Sequence, residues 1–131
     1  SDLLEEFGLA GLAGQGADSL SGGERRRLEI CRALTLRPKF LLLDEPFTGI
    51  DPLTIHEIQQ SLVRLKKRGI GMLLSDHNVR DTFQIVDRAL IIDAGDILAE
   101  DTPDRLAANP KARERFLGTE FRFGEERKKS R

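Results

Sequence analysis

Four short groups of residues in this chain have the types and spacing to handle a phosphate. Ser21, Gly22, Gly23 and Glu24 open an arginine-studded stretch, "SGGERRRLEICRAL". A helix that starts there presents free N–H donors and roughly half a positive charge. Its glycines let a phosphate oxygen approach the backbone. Asp44 and Glu45 close the apolar run "FLLL". A carboxylate at the C-terminal end of a buried strand lies where ligands of open α/β sheets bind. Asp44 suits Mg²⁺, a hard ion that keeps several waters and takes one or two protein oxygens. Glu45 beside it can polarise an attacking water as a general base. Asp51 in "TGIDP" and His77 in "SDH" complete the set.

Each group alone has a plainer reading. Ser21 with Glu24 three residues on is a capping box. Asp51 before Pro52 is a helix cap. Asp44 and Glu45 can be exposed strand-end acids, and a lone histidine is most often structural. His77 gains weight because it shares a strand end with the acids. His56 lies among polar helix residues and reads as surface.

These groups need a frame. Residues 2–7 read as the end of a helix stopped by Gly8, followed by a glycine-punctuated linker to residue 20. Its glycines lack the spacing of a nucleotide loop. Ser21 caps a helix with Leu28, Cys31 and Leu34 on one stripe, running to about residue 36 and closed before Pro38. The run "FLLLDE", residues 40–45, predicts a strand buried on both faces of a parallel sheet. Pro52 starts a helix with Ile55, Ile58, Leu62 and Leu65 on one side, ended by Gly69. A second strand covers "IGMLLSDH" with a polar tip, and Asn78 caps a helix to about residue 86. "RALIID" and "DILAED" flank Ala94-Gly95 as a β-hairpin. Pro103 and Pro110 each open a short helix, the last ending near Gly118. The fold class is α/β with a parallel core. Two parallel strands alone make a poor sheet with free edges, so the chain reads as cut from something larger, with sequence missing on the N-terminal side. The expected divisions are residues 1–20 as linker and helical remnant, 21–118 as the main domain and 119–131 as a partly disordered tail.

Bulk properties bound the function. At 131 residues with net charge −1, the chain is one domain or a piece of one, and its charge gives no reason to invoke nucleic acid. The basic run Arg127, Lys128, Lys129 and Arg131 reads as a solvated terminus. A single cysteine, Cys31, excludes an intrachain disulfide and reads as small buried filler. The longest apolar run, residues 40–43, is too short to cross a bilayer.

Together "LSGGE", "FLLLDE", "TGID" and "SDH" resemble the ATP-binding-cassette (ABC) ATPases over residues 20–101, as signature loop, Walker B strand, D-loop and switch-histidine strand. The resemblance implies a P-loop NTPase fold whose N-terminal, Walker A half is missing. No Gly-x-x-x-x-Gly-Lys-Ser/Thr loop occurs in the chain. It implies ATP and Mg²⁺ as cofactors of a complete subunit or a composite dimer, sandwiched head to tail between two ATPase subunits. Ser21, Gly22, Gly23 and Glu24 then serve the ATP held by the partner. Asp44 reaches Mg²⁺ through water, Glu45 orients the attacking water, His77 contacts the γ-phosphate, and Asp51 links the two sites. Alone, the chain is expected neither to bind ATP tightly nor to hydrolyse it.

"DHNVR" with a closing "LGTEFR" narrows the resemblance to the lipopolysaccharide-export branch of the family. That branch implies a second ATPase subunit, inner-membrane permease subunits and a cytoplasmic position on the inner face of the bacterial inner membrane. A branched-chain amino-acid importer ATPase and an inactive fragment of a truncated gene, associating or swapping with another copy, are the alternatives.

Overall fold

The computed structural model describes residues 2–124. The chain divides into two compact units, Ser1–Asn78 and Val79–Arg131.

The first unit opens with α1 (Asp2–Glu6), stopped at Gly8, whose φ of 67° only glycine adopts at little cost. The expected linker contains two single helical turns, Ala10–Leu12 and Ala17–Ser19. Helix α2 (Gly22–Leu34) starts where the capping box placed it. It ends two residues early, because Thr35 turns its hydroxyl onto the Arg32 carbonyl (2.7 Å) and Arg37 enters the left-handed region at φ 50°. Strand β1 (Phe40–Asp44) pairs in parallel with β2 (Gly71–Ser75), Phe40 opposite Gly71 and Asp44 opposite Ser75. Between them runs α3 (Pro52–Lys67), whose predicted stripe of Ile55, Ile58, Leu62 and Leu65 is buried throughout. A salt bridge from Arg27 to Glu57 (3.3 Å) fastens α2 to α3.

One expectation fails here. Strand β1 is not buried on both faces: Leu41 is 5% exposed, but Leu42 is 74% exposed and its register partner Leu73 58%. The period-2 alternation of a strand sends Leu41 and Leu42 to opposite faces, and among the described residues only one of those faces is covered.

The second unit begins with α4 (Val79–Phe83). It ends short of residue 86, its last turn tightening where the Ile85 N–H reaches back three residues to the Thr82 carbonyl. Strands β3 (Ala89–Asp93) and β4 (Asp96–Asp101) form the predicted antiparallel hairpin, with Ala94 and Gly95 both at positive φ and a register shift at Ile91/Ile92. Helices α5 (Pro103–Ala108) and α6 (Pro110–Ala112) follow, α6 continuing as a wider turn over Arg113–Leu117 to Gly118. Phe83, Ile91, Leu106 and Ala112 form the core of this unit. Residues 119–124 pack on it: the Phe121 and Phe123 rings stand edge-on to Phe83 at 6.1 and 5.5 Å. Arg113 holds the same segment through the carbonyls of Ala107 and Phe121 (2.9 Å each) and of Thr119. The basic run from Arg127 lies outside the described residues.

Candidate functional site

All eight candidate residues fall in the first unit, in two sets joined along the chain by residues 46–50. The first set occupies the C-terminal tips of β1 and β2. The Ser75 hydroxyl donates to Asp44 Oδ1 at 2.6 Å. The Glu45 N–H donates to the Ser75 carbonyl at 2.7 Å, one step beyond the ladder. Glu45 takes φ 47°, a left-handed conformation that costs an ordinary residue about 1–2 kcal/mol. Its carboxylate stands in solvent, with Oε1 3.7 Å from His77 Nδ1.

Asp76 holds this tip together, and the sequence reading passed it over. Its side chain is fully buried. Oδ2 accepts from the Phe47 N–H (2.9 Å) and Oδ1 from the Asn78 N–H (2.8 Å). The first bond clamps the chain leaving β1 onto β2, with the Phe47 side chain itself buried. The second shapes the turn that carries His77. Glu45 and His77 therefore meet because the residue between Ser75 and His77 is a buried acid.

The second set lies at the mouths of α2 and α3. Ser21 and Glu24 form both halves of the capping box: the Glu24 N–H donates to Ser21 Oγ (3.2 Å) and the Ser21 N–H to Glu24 Oε2 (2.8 Å). The Ser21 hydroxyl proton and the first helical N–H groups are what this mouth has left to offer an anion. Gly22 is exposed, but Gly23 is buried, and a Cβ on it would overlap the Thr54 methyl. Asp51 caps α3, accepting from the Thr54 N–H (3.0 Å) and the Thr54 hydroxyl (2.7 Å). The Thr54 hydroxyl bond, followed by the Thr54 amide bond, lowers the Asp51 pKa below its ordinary value.

The donor chemistry at the first set fits Mg²⁺ in one manner only. Asp44 and Ser75 offer hard oxygens in solvent reach, yet no group of three His, Cys, Asp or Glu among the described residues is placed to cage an ion. Such a pair suits an ion that keeps its waters and takes its other ligands from phosphate oxygens.

Comparison with known proteins gives these positions a setting. The profile of the family described as ABC transporter matches residues 1–48. A "probable ABC transporter ATP-binding protein" of Azorhizobium caulinodans is 52% identical over 121 residues, covering 92% of this chain and 43% of that protein. The lipopolysaccharide export system ATP-binding protein LptB of Haemophilus influenzae is 44% identical over 93% of this chain and 51% of its own length. A crystal structure of an ATP-binding cassette of an ABC transporter, in its ADP conformation, superposes with a TM-score of 0.81 at 31% identity, over 89% of this chain and 48% of that one. The fold is thus that of the P-loop ATP-binding cassettes, with parallel β1–β2 and the antiparallel hairpin as its parts. Over most of its length the chain is similar to ABC transporter ATP-binding proteins. It spans about half the length of the curated relatives it matches.

Proposed function

We propose that this chain supplies the lid and the water-activating acid of an ATP site that drives lipopolysaccharide export across a bacterial inner membrane. The observation that carries the reading is the meeting of Glu45 and His77 at the tips of two parallel strands, beside Asp44.

In that reading Glu45 accepts a hydrogen bond from the attacking water and later its proton. A positioned general base contributes about 10²–10⁴-fold in rate. His77 lies near enough to Glu45 to place a ring N–H on the same phosphate the water attacks. Asp44, its Oδ1 already oriented by Ser75, would hold a Mg²⁺ ion through water. When bound, that ion neutralises charge on the phosphate oxygens. Ser21 and Gly22 face a nucleotide held by a second ATPase subunit, the buried Gly23 lets their helix mouth close against Thr54, Glu24 fixes their backbone, and Asp51 links the two sites.

The export assignment draws support from the LptB relatives, at 43–48% identity, and from the "DHNVR" and "LGTEFR" segments. Its partners are a second ATPase subunit and a pair of inner-membrane permease subunits, with the chain peripheral on the cytoplasmic face. No helix among the described residues is long and apolar enough to cross a membrane itself.

Two measurements test the proposal. Equilibrium binding of radiolabelled ATP with Mg²⁺ to the 131-residue chain should show no micromolar affinity, because its sequence has no Gly-x-x-x-x-Gly-Lys-Ser/Thr loop to cradle the β- and γ-phosphates. Micromolar binding would refute the division of labour. Co-purification of the chain with lipopolysaccharide-export permeases, in preference to those of an amino-acid importer, is the expected result for the cargo; the opposite preference would overturn it.

A further inference from the structure

The mouth of α2 and the cap of α3 are mechanically joined through one side chain. Gly23 is buried, and the space a Cβ would occupy is filled by Thr54: the Cγ2 methyl would overlap it, and Thr54 Cβ and Oγ1 would lie 3.2 Å away. The same threonine donates its hydroxyl to Asp51 Oδ1 at 2.7 Å and its N–H to Oδ2 at 3.0 Å. Both Asp51 oxygens are thereby oriented by Thr54. One residue earlier, an ideal Cβ on Gly22 would lie 3.9 Å from the Gly49 carbonyl, so the mouth of α2 runs along the turn that leads to Asp51.

A threonine in a helix has two accessible χ1 rotamers. The one seen directs its methyl at Gly23 and its hydroxyl at Asp51. Pressure on the methyl from the Gly23 side is most cheaply relieved by rotating χ1, and that rotation carries the hydroxyl off the carboxylate. The geometry points to Thr54 as a positioning residue that converts a displacement of the Ser21–Gly22–Gly23 mouth into a reorientation of Asp51. The functional meaning, a lid that reports its closure to the residue linking two nucleotide sites, rests on the proposed function. The coupling itself does not, and it is measurable without nucleotide.

The test follows the Asp51 carboxylate by ¹³C NMR titration in the 131-residue chain. Thr54→Val keeps the methyl and loses the hydroxyl, so the Asp51 titration should move up toward the ordinary carboxylate range. Thr54→Ser keeps the hydroxyl and should leave it low. Gly23→Ala replaces no atom bonded to Asp51, yet should raise the Asp51 titration as Thr54→Val does. The double variant Gly23→Ala/Thr54→Ser, which lacks the overlapping methyl, should bring it back down. A simple packing role for Gly23 would lower stability and leave Asp51 titrating as in the parent, and that result overturns the proposal. If Gly23→Ala alone does not fold, Ser21→Ala takes its place, since it frees the α2 mouth by removing its cap and touches no atom bonded to Asp51: a shifted Asp51 titration supports the coupling and an unchanged one refutes it. Failure of the ATP reading would show in nucleotide binding and would leave these titrations unchanged.

Discussion

Replacing Asp76 tests whether one buried acid assembles the strand-tip site. Asp76→Ala removes two acceptors. The Phe47 N–H belongs to a residue only 2% exposed, so it is left without its partner in a buried setting, at a cost of about 1–3 kcal/mol. The Asn78 N–H loses a charge-assisted bond but sits nearer water, and its loss adds about 1 kcal/mol. Removing the carboxylate also removes the cost of burying it, which trims the upper end. The expected destabilisation is about 2–3 kcal/mol, a large part of the roughly 5–15 kcal/mol that holds a domain together. Asp76→Asn keeps one carbonyl oxygen for one of the two donors, and about half that loss is expected. Urea unfolding followed by far-UV circular dichroism reads both variants, the midpoint falling in the order parent, Asp76→Asn, Asp76→Ala with an unchanged slope. In NMR spectra the His77 and Glu45 side-chain signals should shift in Asp76→Ala before unfolding begins. A midpoint change worth less than about 0.5 kcal/mol, the size of an ordinary surface substitution, would show that the two strand tips are held by something else.

Three further outcomes follow from two residues. Cys31 is buried, and desolvation, followed by the nearby Glu6 charge, pushes its thiol up to about 11; in native chain at pH 8 it should react with a disulfide reagent far more slowly than in urea-unfolded chain. Because the folded-state pKa is the higher one, its contribution to stability is intact below pH 9 and declines between about pH 9 and 11, which urea midpoints of the parent against Cys31→Ala across that window should show. Glu45→Gly relieves the left-handed backbone strain while removing only an exposed carboxylate, so it should raise stability by up to about 1 kcal/mol; a lower urea midpoint would contradict the strain argument.

What the sequence made legible was whatever depends on residues three or four apart. The Ser21–Glu24 box, the Asp51 cap before Pro52 and the apolar stripe of α3 are local, and each stands where the spacing put it. What stayed hidden depends on where distant segments cross. Asp76 sits between Ser75 and His77 in a polar tip whose members look alike; only the parallel register and the return of residues 46–47 give it the Phe47 N–H to hold. Thr54 looks like an ordinary first-turn helix residue until α2 is laid against it. The absence of a Cβ at Gly23 read as room for an approaching phosphate oxygen, whereas the structure fills that space with a methyl. The burial of β1 was misjudged because an apolar run states what must be covered without saying which segment covers it; Leu42 and Leu73 present their side chains on the uncovered face.

The strand-tip geometry shows how a strained residue is held by its neighbours in the chain. Glu45 sits at φ 47°, a conformation its own chemistry disfavours. On one side its N–H is tied to the Ser75 carbonyl, and two residues later the Phe47 N–H is tied to Asp76. Pro46, fully buried between those two points, fixes its own φ and restricts the residue before it. Both anchors lie on β2 or its immediate extension, the segment that carries His77. A shift of β2 along β1 would therefore loosen the loop and move the histidine together, whereas the two residues stay in contact as long as the ladder keeps its register. Strain of this kind persists only where surrounding bonds over-determine it. Here the over-determination comes from the paired strand, so the Glu45–His77 separation of 3.7 Å is a property of the parallel ladder as much as of either side chain.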